Sequence, residues 1–346
     1  ITDTTVVNVA YGVQSSKTQS AAISTVKGER LMEITSPTVG NSLKGMLPGL
    51  SILQKSGEPG YDFYMENMFT RGVSSFNSKQ QMLVFVDGFE APLDNISAEE
   101  IESVSLLKDA AALAIYGSRG ANGVLLITTK KGYHSSPKIG FRMQTGIQMP
   151  TIMDTPMDAY NYARLYNQAL ENDGKAALYT NEALAAYQSG SNQYLYPNVN
   201  WKNQLYKNTT PLTMSELSFR GGGGGLNYYV MAGLMHNDGI YRGTDSKQRE
   251  NANVNYARYN FRANLDVDIT KYFRTFLYSG VSFAEKTTPG AGGADDYLKS
   301  VWTTPPNAFP VYNPNGSFGG TSLYTNPVAN LLNRGLYKEN SRSLQV

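Results

Sequence analysis

Three sets of residues in this chain could do chemistry: two histidines, three close pairs of carboxylates, and a run of glycines. His134 and His236 stand in no spacing that grips a metal, and no HExxH, EF-hand or Walker pattern occurs. Glu99/Glu100, Asp266/Asp268 and Asp295/Asp296 are the kind of pair that cleaves glycosidic bonds. Adjacency in sequence, however, does not set the separation across a sugar that such cleavage needs. Gly221 to Gly225 would suit a phosphate cradle, but Leu-Asn-Tyr follows it rather than Gly-Lys-Ser/Thr. With no cysteine, thiolate metal sites, disulfides and cysteine nucleophiles are absent. No residue is assigned a catalytic or metal-ligating role, no cofactor is expected, and the chain is read as a non-enzyme.

The elements around the charged residues are better marked than any chemistry. Between Ser97 and Lys131, Ser97 with Glu100 forms a capping box that starts a helical turn. Val104 to Lys108 is short and apolar enough for a buried strand. Asp109 is placed to cap a helix from Ala110 to Tyr116, which Gly117, Gly120 and Gly123 break. Val124 to Thr129 returns as a second buried strand. Upstream, Ala21 to Val26 reads as a strand, Gly28 to Met32 as a turn, and the region near Thr38 to Leu47 as a helix. Pattern alone leaves open an ordinary αβ unit of any enzyme.

The residues themselves resemble a known family. LLKDAAALAIYGSRGANGVLLITTKKG (106–132), TRGVSSFN (70–77) and MLVFVDGFE (82–90) are similar, in order and spacing, to the plug domain of the SusC/RagA-like TonB-dependent outer-membrane transporters. Where the wider TonB-dependent class has Arg-Gly-Pro, this chain has Lys108-Asp109-Ala110, the form of the SusC-like branch. Arg71, Gly72, Asp87, Gly88, Lys108, Asp109, Tyr116, Gly117 and Arg119 match the plug motifs. They are expected to hold the plug together and against the barrel wall. The resemblance also implies that Val6, Val7, Asn8, Val9, Ala10, Tyr11 and Gly12 are offered to TonB, worked by ExbB/ExbD, through strand addition. The stretch after Gly57 departs from the family and adds aromatics. Tyr61, Phe63, Tyr64, Phe76 and Asn77 are candidate ligand-facing residues, with plug packing as the alternative.

Composition agrees with such a barrel. Charged residues are 17%, against about 25% in soluble domains, while Tyr reaches 24 and Gly 33. Few charges with many aromatics and glycines suit an outer-membrane barrel, or a soluble Tyr-rich glycan-binding protein. The formal charge of +2 points to no nucleic-acid partner. After Lys131 the pattern turns to period two. Ile139 to Gln148 and Tyr259 to Ile269 alternate apolar and polar residues, the latter over the roughly 9–11 residues that a tilted strand needs to cross a bilayer.

Leu212 to Arg220 and Leu226 to Met235 are expected strands around a Gly221–Gly225 turn. Tyr256 to Ile269 and Tyr272 to Ala284 meet at Thr270-Lys271. Between the hairpins lie long segments, 149–211, 236–255 and 285–340, the first with helices at Met157–Leu170 and Asn181–Tyr187 and the last rich in loops. Short turns alternating with long loops put the long loops outside the cell. A sixth strand is expected from Ser341. Six strands do not close a plugged lumen, which takes about 22, so the chain is expected to be part of a longer protein.

The expected architecture is an α+β plug domain followed by the first antiparallel strands of a transmembrane β-barrel. Its divisions are a leader at 1–12, a plug at 13–132 and barrel strands at 133–346. The expected function is TonB-dependent uptake of an oligosaccharide or peptide across a Bacteroidetes-type outer membrane, with a SusD-like surface lipoprotein as lid. The competing readings are a lidless siderophore- or cobalamin-type transporter and a non-transporting surface glycan-binding protein.

Overall fold

The computed structural model describes residues 6–9, 12–15, 21–54, 56–61, 68–72, 81–151, 153–243, 252–290 and 293–346. The leader forms a hairpin of β1 (Val6–Val9) and β2 (Gly12–Ser15). β3 (Ile23–Lys27) runs into α1 (Gly28–Leu31), and the Thr38 hydroxyl accepts from the Asn41 amide to cap α2 (Val39–Ser42). The helix expected to Leu47 is thus one turn, because Gly45 and Gly49 take φ of +73° and +94° and lead the chain into loops. β4 (Leu50–Ile52) pairs with β5 (Met68–Thr70).

β6 (Leu83–Val86) and β7 (Phe89–Glu90) form a hairpin across Asp87-Gly88, both with positive φ. That is why an Asp-Gly pair stands there. The capping box at Ser97 and Glu100 forms around a single 3-10 turn, and β8 (Ile101–Leu107) follows, starting earlier than the sequence suggested. Asp109 caps α3 (Ala110–Leu113), but the expected helix does not continue to Tyr116. The backbone tightens to 3-10 geometry, and Gly117, at φ +59° and ψ −150°, kinks it. β9 (Val124–Thr129) completes a five-stranded sheet of order β3-β8-β9-β6-β7, with β6 and β9 parallel.

This sheet is apolar on both faces. Leu125 and Ile127 of β9 pack with Leu31, Leu43, Leu93, Ile96 and Leu106 on one side. Val124 and Leu126 pack with Leu83, Leu107, Phe85 and Tyr116 on the other. A strand covered on both faces reads as a continuous apolar run, as Val124 to Thr129 does.

The second large sheet is an antiparallel meander that pairs only sequence neighbours. β10 (Ser135–Gln148) rises to an outer segment holding α4 (Ala159–Asn172), α5 (Asn181–Ser189) and α6 (Trp201–Leu205). β11 (Thr210–Gly223) and β12 (Leu226–Asp238) join through Gly224-Gly225 alone. The expected five-glycine turn is a two-residue one, because Gly221 to Gly223 continue the ladder. β13 (Asn255–Thr270) and β14 (Phe273–Pro289) follow.

The segment expected to be rich in loops also carries α7 (Gly293–Thr303) and α8 (Pro327–Asn333). β15 (Leu336–Gln345) begins at Leu336, not Ser341, because Tyr337 to Glu339 already pair with Lys286 to Thr288. The outer segments share a core in which Trp201, Leu205, Tyr241, Tyr297, Val301, Phe309 and Leu331 are buried.

Candidate functional site: the seam between plug and wall

The meander is polar on its buried face and apolar on its exposed one. One outward row runs across all six strands in register: Phe141, Leu217, Ala232, Phe261, Val281 and Leu344. Phe141 is 69% and Phe261 47% exposed. Along β13 the other face, Arg258, Asn260, Arg262 and Asn264, is buried. Period two sends alternate residues to opposite faces, so one strand serves a polar interior and an apolar exterior.

That polar face lies against the plug. The Arg258 guanidinium donates to the Asp94 carbonyl at 2.6 Å, and the Asn260 amide to the Asn95 carbonyl at 2.7 Å. Arg262 Nε donates to Glu100 Oε2 at 2.5 Å, and its Nη1 lies 3.7 Å from Asp87 Oδ2. The Asn264 amide donates to Thr129 Oγ1 at 2.6 Å and to the Lys130 carbonyl at 2.8 Å.

Neighbouring strands extend the seam. Ser97 Oγ donates to the Glu216 carboxylate, the Tyr229 hydroxyl to the Glu99 carbonyl, and Arg220 Nε to the Lys131 carbonyl. Arg142 donates to the Met32 carbonyl and sits 3.8 Å from Glu99. Near the outer end, Lys286 Nζ holds both the Gly60 carbonyl and the Glu58 carboxylate.

Local motifs supply the acceptors. Glu100 closes its own capping box with Oε1, which accepts the Ser97 amide, while Oε2 takes Arg262. Asp87, held by its turn, accepts the Thr129 amide at 3.0 Å and the Thr129 hydroxyl. The side chains of Arg262 and Glu100 are 5% and 1% exposed. A buried pair of this kind adds little net stability when complete, but removing one partner strands the other charge. Gly280 makes room for it, since a Cβ there would stand 2.5 Å from Arg262 Nη2.

The motif residues divide by position. Asp87, beside Gly88, reaches the seam. Lys108 donates to Ser24 Oγ and to the Pro48 carbonyl inside the plug. Asp109 accepts the Ala112 and Ala22 amides, so its carboxylate is held below the usual range, with the charge of Arg71 adding. Arg71 and Gly72 form a turn with φ of +58° and +101°. Tyr116 packs at a tilt against Phe85 just before the Gly117 kink, and Arg119 grips the Glu90 carboxylate on an exposed face.

Of the leader residues, Val6, Val7, Asn8 and Val9 form β1 and Gly12 opens β2, while Ala10 and Tyr11 lie outside the described residues. Tyr61 is half-buried beside the Gly60 loop; Phe63, Tyr64, Phe76 and Asn77 lie outside the described residues. Arg258, Asn260, Arg262, Asn264 and Glu216 were not singled out from sequence. Their only local signal is a run of arginines and asparagines opposite an apolar face.

Residues 15–124 match the TonB-dependent Receptor Plug Domain family. The TonB-dependent receptor P26 of Formosa agariphila is 28% identical over 94% of this chain and 31% of its own length. The TonB-dependent receptor SusC of Bacteroides thetaiotaomicron is 27% identical over 78% of this chain and 26% of its own. In structure, the RagAB peptide importer in its open-open state superposes with a TM-score of 0.70 at 25% identity, over 92% of this chain and 36% of that one. The chain thus spans about a third of the length of the relatives it matches. An α+β plug seated on the polar face of an apolar-backed meander, with these relatives, makes the chain similar to the plug and opening barrel strands of the SusC/RagA-like TonB-dependent receptors.

Proposed function

We propose that the complete protein is an outer-membrane, TonB-dependent importer of an oligosaccharide or peptide, lidded by a SusD-like lipoprotein. The observation that carries this reading is the seam: a folded plug is held on the polar face of a sheet whose other face is apolar and exposed, by buried polar bonds rather than by an apolar core. Such contacts suit a part that must leave and return, because water can satisfy every group once the plug moves.

TonB, with ExbB/ExbD, would engage β1 by strand addition and pull. The load would reach β3 first, at the sheet edge, where five register pairs with β8 and the Ala22–Asp109 bond hold it. Similarity to SusC and to the RagAB peptide importer supports both import and the lipoprotein. The ligand class is an oligosaccharide by preference and a peptide otherwise.

Deleting Val6 to Gly12 from the full-length protein tests the reading. Energised uptake is expected to vanish while surface binding and outer-membrane location stay unchanged. Retained uptake would overturn the TonB-dependent mechanism. Mild-detergent capture with mass spectrometry of the co-purifying proteins reads the lid: a single polypeptide would favour a lidless transporter.

A further inference from the structure

Below the seam, towards the two short turns, the inner face of the sheet changes character. The last row whose side chains engage the plug is Arg220, Tyr229, Asn264 and Tyr278, one residue on each of four strands. The next row down holds Gly222, Asn227, Asp266 and Phe276, and the one below it Asp268 and Arg274. Phe276 and Tyr278 are two apart on β14 and share the inner face. Their rings stack at 5.4 Å and 26°.

Tyr278 is fully engaged. Its hydroxyl donates to Asp266 Oδ1 at 2.8 Å, and Lys131 Nζ sits 4.2 Å from its ring centre. Phe276 is different: it is 67% exposed on a face whose neighbours are carboxylates, an amide and a guanidinium. One side of its ring meets Tyr278 and the rest is open, which forgoes part of the roughly 1.5–3 kcal/mol that full burial of a phenylalanine brings, and lipid does not explain it, because the sheet's apolar face is the other one. Around the ring, Asp268 binds Arg274 through both oxygens, in an exposed pair. Among the described residues, no donor meets the second oxygen of Asp266.

A flat apolar ring flanked by acceptors and a donor fork matches a pyranose, whose C–H face stacks while its hydroxyls bond at the rim. We propose that Phe276, with Asp266, Asp268 and Arg274, forms a sugar-binding subsite on the lumen wall at the periplasmic end, beneath the plug. It rests on the importer reading and deepens it: ligand released past a displaced plug meets this rung before leaving the lumen.

The test uses the full-length transporter. Phe276→Trp, reconstituted in detergent, is titrated with malto-, xylo- and laminari-oligosaccharides while its emission is followed. Uptake of the same labelled sugars by cells is compared for wild type, Phe276→Ala and Phe276→Leu. The expected result is a saturable emission change with at least one sugar. Uptake of that sugar should fall about tenfold in both Phe276→Ala and Phe276→Leu, the size of one lost stack, with outer-face binding unchanged.

Uptake restored by leucine would make the ring a packing group and overturn the proposal. Leader-dependent uptake that is equal in all variants, or an emission unmoved by every sugar, would overturn the subsite and leave the importer standing. Wild-type cells that take up none of the sugars would overturn the subsite together with the sugar-import reading. Response to aromatic peptides alone would replace the sugar with a peptide.

Discussion

The plug sheet and the wall sheet are built from the same period-two strands, yet they put opposite chemistry inside. In the plug, β9 buries Val124 to Ile127 against apolar neighbours on both faces. In the wall, β13 buries two arginines and two asparagines and exposes Tyr259 and Phe261. The difference lies in what surrounds each sheet. An apolar face belongs in a protein core or in lipid, and a polar face needs water or a bonding partner. The seam is where the wall's polar face meets the plug, and there hydrogen bonds and ion pairs replace apolar packing.

The sharpest way to break this contrast is Arg262→Ala. It leaves Glu100 and the nearby Asp87 carboxylate buried without their cation, and the expected loss of plug docking is about 3–5 kcal/mol. Hydrogen exchange of the full-length protein reads it as faster exchange at Thr129, the last residue of β9, and in the 93–100 segment, with β8 and the rest of β9 still protected. Unchanged exchange would mean the seam holds nothing. Phe261→Arg strikes the other face at the middle of β13. A loss of roughly 2–4 kcal/mol is expected if that row faces lipid, measured by unfolding in bilayers, and a neutral result would contradict the lipid assignment.

Asp109→Ala is the smallest of the three and stays inside the plug, where loss of a helix cap costs about 1 kcal/mol. The folded pKa of Asp109 is depressed. Its contribution is therefore constant above the unfolded value of about 3.9 and is lost as pH falls through the lower folded value. Stability of wild type and Asp109→Asn should converge on acidification below about pH 4 and differ by a constant amount at neutral pH.

The sequence carried most of the strands, because alternation and two-residue turns are local. The Ser97–Glu100 box was likewise legible from neighbours, and the Asp87-Gly88 turn had a local signal that was not read as one. α8 was missed although its signal was present, with Asn326 as cap, Pro327 at the first position and Val328, Leu331 and Leu332 on one face. α3 was overextended because alanine propensity hid the tightening to 3-10 geometry after Leu113, although the break at Gly117 was legible. The seam was not legible at all. Arg262 and Glu100 stand 162 positions apart, and Asn260 and Asn95 165, so only the fold brings them together.

The plug's last strand ends at Thr129 and the first wall strand begins at Ser135. With so short a tether, the seam's donors and acceptors stay at an effective concentration of millimolar or more even after every bond has been broken. Re-docking is then unimolecular. A plug that left its seat would return without a search, at a rate independent of the protein's concentration.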